Sequence, residues 1–228
     1  MLEVTALHLI TPLFRATFMA ILIVILLYII KFFYEGYKYF KTKMLLALIS
    51  AFLMIIVGAS INLSLSLYGH YLIFVEELKV DGLSYHHIGN ILYSIFLMCG
   101  FLFLIAFNMF SRWIGVSKPV SYLILLIGGI ELLYNVEIAI NAIVLFELIF
   151  ILINVAVSSP THAVVGRFMV IIGLLLLISS RVLMLFPFIP VTDMFSSMME
   201  VAGFSGLIVL KQDVSLLVRA GEGELVEV

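Results

Sequence analysis

The 228-residue chain is 64% hydrophobic and 11% charged, with a mean hydropathy of +1.29, whereas soluble domains are about 45–50% apolar and about 25% charged. That composition excludes a water-soluble globule, and 12 basic against 14 acidic side chains, net −2, provide no polycationic tract for nucleic acid. The one cysteine, Cys99, excludes an internal disulfide.

A membrane-crossing helix needs about 20 apolar residues, so the length holds about seven spans. The first is expected at 12–32: its apolar run Ala16 to Ile30 has no basic stretch before it and no small-residue cleavage site, and it reads as a retained span. The second and third are expected at 44–68 and 87–110. Between them, the loop from Gly69 to Tyr85 contains Tyr71-Leu72-Ile73-Phe74-Val75, which suits an interfacial segment or a short strand. The stretch 120–157 would measure roughly 57 Å as one helix, too long for a single crossing, and Tyr134-Asn135 divides it into a hairpin with spans at 119–134 and 137–157. The sixth span, 162–187, follows Ser159-Pro160 and stops at Pro187; the seventh, 192–211, starts near Thr192-Asp193. Residues 212–228 form a short tail, too small for a catalytic domain. The expected fold is therefore an all-α integral membrane protein, a single bundle of seven transmembrane helices.

Lys31, Lys38, Lys41, Lys43, Arg112, Lys118, Arg167, Lys211 and Arg219 fall on one side of this arrangement, which the positive-inside rule makes cytoplasmic. The amino terminus is then outside and the carboxyl terminus inside, in a multi-pass protein of the cell membrane. Tyr34, Tyr37, Tyr39 and Trp113 gather at the inner boundary, where amphipathic rings settle.

An ionisable group within a span costs at least about 2.5–3.5 kcal/mol on insertion scales unless it faces protein or water, so each marks a candidate site. Asp193, Ser196, Ser197, Glu200 and Gly203 recur at spacings of three and four and form one helical stripe. Arg181 and Glu200 lie roughly 9 and 12 Å below the outer surface, so Arg181 is expected to pair with Glu200, Asp193 or both. Glu147 falls near the bilayer centre, with Asn154 and Ser158 on its face, while Glu137 and Asn141 lie nearer the outside and Glu131 ends span four. In span three His87, Asn90 and Ser94 share a face, joined by Asn108 at the inner end. Span two carries Ser60, Asn62, Ser64 and Ser66 over two faces, where serines bond back to their own helix. The ionisable residues of the spans, Arg15 included, thus concentrate in the outer half or at the midplane, with five carboxylates against two guanidiniums. That distribution suits a polar cavity open to the outside and favours a cation, an amine or protons as ligand.

The structural alternatives are a clamp for Arg181, a neutral hydrogen-bonded acid for Glu147, and helix glue for the asparagines and serines. His70, His86, His87 and His162 lack metal-ligand spacing, and Cys99 has no basic neighbour. Ala202-x3-Gly206 and Gly128-Gly129 permit close helix contact. No phosphate loop, nucleophile elbow or zinc-protease motif is present, so the reading leans away from an enzyme and calls for no cofactor or metal. The leading expectation is a receptor-like or sensor-like module that binds a small molecule or cation from outside through Glu147, Glu200, Arg181, Asp193, Asn90, His87 and Asn141. Its partners would be the lipid bilayer and a cytoplasmic or membrane protein, or a second copy of the chain. The alternatives are a cation or proton transporter or channel component using Glu147, and an accessory or scaffold subunit.

Overall fold

The computed structural model describes residues 2–75, 79–112, 136–158, 164–185 and 190–208. These form six helices: α1 (Leu2–Phe40), α2 (Lys43–Phe74), α3 (Lys79–Arg112), α4 (Val136–Ser158), α5 (Val164–Met184) and α6 (Pro190–Leu207). Three stretches are long and apolar enough to cross a membrane, Leu13–Phe40, Leu45–Phe74 and Ser84–Ile105, and Ile140–Ile153 and Phe168–Met184 are shorter apolar segments. The chain has the make-up of a helical membrane protein. The span expected at 119–134 lies outside the described residues, together with Lys118, Gly128-Gly129, Glu131, His162 and the tail. The side chains of Asn108, Arg112, Glu137, Asn154, Ser158 and Arg167 lie outside them as well.

Each helix packs on the next in chain order, and α6 packs back on α1, so the six close a ring around one core. The α1 seam shows why. Arg15, Met19, Leu22, Leu26, Ile29 and Phe33 follow one another at alternating spacings of four and three and are all buried. This is the spacing that keeps one stripe of a helix against a neighbour along its length. Phe33 stacks on Phe52 of α2 with ring centroids 5.9 Å apart, and α2 through α6 complete the core with residues such as Ile55, Leu97, Val144, Leu174 and Phe204.

The outside of the ring is apolar. Val24, Phe146 and Phe168 are 67%, 49% and 61% exposed, whereas Arg15 and Arg181 are 0% and 1% exposed. Large apolar side chains thus cover the outside as well as the core, while these two charged groups are buried, and hydrocarbon is the solvent that rewards such a surface.

The connections are tighter than the sequence suggested. Lys41 and Thr42 alone join α1 to α2: Lys41 adopts φ 46°, the left-handed conformation that closes a helix, and its N–H donates to the Tyr37 carbonyl at 2.9 Å. Tyr71 to Phe74 are not a strand, because α2 continues through Phe74 and buries Leu72 and Ile73. A continued helix satisfies its own backbone hydrogen bonds near a membrane surface, which an isolated strand does not.

Candidate functional site

The polar groups of five helices meet toward the end of the ring where α5 turns into α6. On α6, Ser196, Ser197 and Glu200 are buried and Gly203 packs on α5, so the predicted stripe faces protein. Asp193, in the first turn of α6, remains 28% exposed at its side chain. Arg181, near the end of α5, forms an ion pair with Glu200. The same guanidinium donates from Nη1 to Asn141 Oδ1 of α4 at 3.0 Å and lies 5.8 Å from the ring centre of Tyr93 on α3. The Asn141 oxygen is also approached by the Ser94 hydroxyl at 3.5 Å, and Ser180 and Ser196 share a 2.9 Å hydrogen bond across α5 and α6.

Asp193 pairs elsewhere. Its Oδ1 lies 3.6 Å from Arg15 Nη1, and the same nitrogen is 4.0 Å from the sulfur of Met184. Arg15 therefore ties α1 to both α5 and α6, and it is close enough to Arg181, Tyr93 and His86 for its charge to act on each. In the network itself, two guanidiniums face two carboxylates, Asp193 and Glu200. Of the five acids counted in the sequence, Asp193 and Glu200 belong to this cluster and Glu147 stands apart, while Glu131 and the side chain of Glu137 lie outside the described residues.

Several polar atoms in this region have no hydrogen-bond partner among the described residues: Arg15 Nε and Nη2, Arg181 Nε, Asn90 Oδ1 and His86 Nε2. Buried polar groups are ordinarily paired, so these atoms mark where the described cluster has unused hydrogen-bonding capacity. A smaller group borders the network, in which Ser66 donates to Asn62 Oδ1 at 3.1 Å and meets His86 Nδ1 at 3.1 Å. Ser64 bonds back to the Ser60 carbonyl at 2.9 Å, as hydroxyls on helices do.

The structure brings Arg181, Glu200, Asn141 and Asp193 together. Asn90 is buried nearby, while Glu147 lies deeper along α4. His87 is exposed, and its neighbour His86 takes the inward position. Both histidines are compatible with Asn90 and Ser94 by spacing, but His86 precedes them at even steps of four and His87 is turned about 100° away. Arg15, Tyr93 and His86 are the participants that sequence reasoning did not select. Their signals were present: Arg15 extends the α1 seam by one more step, and Tyr93 is seven residues from His86. Comparison with family models, curated proteins and solved structures finds no match.

Proposed function

We propose that this chain is a multi-pass protein of the cell membrane, a seven-helix receptor-like or sensor-like module whose outer polar network exchanges partners with a small polar molecule. The supporting observation is the convergence of Arg15, Tyr93, Asn141, Arg181, Asp193 and Glu200 from five helices on one buried cluster. A ligand that takes over one of these contacts acts on five helices at once. Differential contact of this kind is what shifts a helical bundle between two arrangements. The partly exposed Asp193 supplies the entry, and the donors of Arg15 and Arg181 that have no partner among the described residues supply spare binding capacity. Because the two ion pairs of the described residues balance, a zwitterion fits them better than a bare cation: it offers one charge to each member of a pair and leaves the total unchanged.

A thermal-shift screen of the purified protein in lipid nanodiscs tests this, using α-amino acids, primary amines and monocarboxylates as probes. The expected outcome is a raised melting midpoint with amino acids, lost in the double variant Arg181→Met/Glu200→Leu, which removes both charges and so leaves neither buried alone. A screen with no shift, or a shift undiminished in that variant, assigns the cluster to holding helices together.

A further inference from the structure

Glu147 is the central residue of α4, about 16 Å from either end at 1.5 Å per residue. It is 0% exposed, and neither carboxyl oxygen has a hydrogen-bond partner among the described residues. The nearest member of the outer cluster on this helix, Asn141, is about 9 Å away along the axis. One turn to either side the helix offers the apolar Ile143, Val144, Phe150 and Ile151, and across the interface α3 brings Cys99 within electrostatic reach.

A structural role does not account for this placement. Polar side chains hold membrane helices together through the hydrogen bonds they make, and among the described residues Glu147 makes none that would offset its burial. A metal ion does not suit it either, since hard cations take six or more oxygens and one carboxyl supplies two. No group of three His, Cys, Asp or Glu side chains converges among the described residues. The ligand that needs one oxygen and no other partner is a proton.

We propose that Glu147 is a reversible proton-binding site at the centre of the bundle. Uptake forms an O–H bond on one carboxyl oxygen with a proton drawn from water; release breaks that bond, returns the proton to water and leaves the carboxylate inside the ring. The site is independent of any ligand at the outer cluster.

Infrared difference spectroscopy of the full-length protein in lipid, recorded across pH, tests the site without requiring a reagent to reach it. The expected result is a protonated-carboxyl carbonyl band, shifted in D2O, that disappears as pH rises and returns on acidification. The band should be absent from Glu147→Gln and retained in Glu200→Gln. Should Glu147→Gln fail to fold, Glu147→Asp should keep a titrating band at a displaced frequency, and glutamate carrying 13C in its side-chain carboxyl should move the wild-type band. The proposal is overturned if no such band occurs, if it stays constant over every pH at which the helices persist, or if it titrates unchanged in Glu147→Gln.

Discussion

Arg181 and Glu200 show how much one pair of charges decides inside this ring. Each is 1% exposed, so removing one leaves the other buried without its counter-charge. Arg181→Ala is expected to destabilise the protein by about 3–5 kcal/mol, and Glu200→Ala similarly, whereas Arg181→Met/Glu200→Leu should cost less than either because no charge is stranded. Denaturation of the three variants in mixed micelles measures this, and a double variant as unstable as the sum of the singles would show that the pair is not coupled. The pairing was legible because both residues fall at similar depths from Pro187 and Thr192, an argument that needs only the helical rise. Asp193 was harder to assign, since depth alone made it an equal partner for Arg181. Its contact with Arg15 joins the first helix to the last, and no local spacing encodes that meeting. A similar ambiguity hid His86, because a helical face read from two polar residues accommodates either of two adjacent histidines.

The α5–α6 hairpin illustrates what helix faces add. The Ser180–Ser196 hydrogen bond and the approach of Gly173 to Gly203 are each seven residues apart on both helices, which fixes an antiparallel register over two turns. A Cβ at Gly203 would sit 2.8 Å from the Gly173 carbonyl oxygen and 2.7 Å from Leu177 Cγ, and one at Gly173 would sit 2.7 Å from the Gly203 oxygen. Small residues let these backbones touch, and that contact sets Arg181 beside Glu200. Gly203→Val should therefore cost about 1–3 kcal/mol by overpacking and loosen the ion pair, while Ala202→Val, one residue away and exposed, should change stability by no more than about 0.5 kcal/mol. Comparable melting points for the two variants would contradict this register. The sequence suggested Ala202 and Gly206 for a close contact within the monomer or between copies; within the monomer Gly206 meets Gly173, while Ala202 faces outward and Gly203 makes the other approach. The small-residue pattern announced that a close contact existed but left open which of two adjacent residues made it.

Across the molecule, the solvent was the most legible property and the order of the ring the least. An excess of apolar residues requires hydrocarbon around the helices, but closure of α6 onto α1 rests on side chains nearly two hundred residues apart in sequence. The placement of the lysines carries the remaining prediction. Lys31, Lys38, Lys41 and Lys43 flank the α1–α2 connection, with Lys38 lying 4.9 Å from the Tyr34 ring centre, while the α2–α3 connection at the far end of α2 has Lys79 alone of the basic residues. By the positive-inside rule, this asymmetry predicts the α1–α2 end in the cytoplasm and the α2–α3 end outside. In a Cys99→Ser background, which removes the chain's one thiol, a membrane-impermeant maleimide should label Lys79→Cys on intact cells and Lys41→Cys only after permeabilisation. Replacing Lys31, Lys38 and Lys43 with glutamine in the Lys41→Cys protein removes all four charges at that end, and it should expose a fraction of position 41 on intact cells, because the bias that selects one orientation is weakened. Labelling of positions 41 and 79 from the same side would mean that α2 does not cross the bilayer, and the proposed seven-helix arrangement would fail with it.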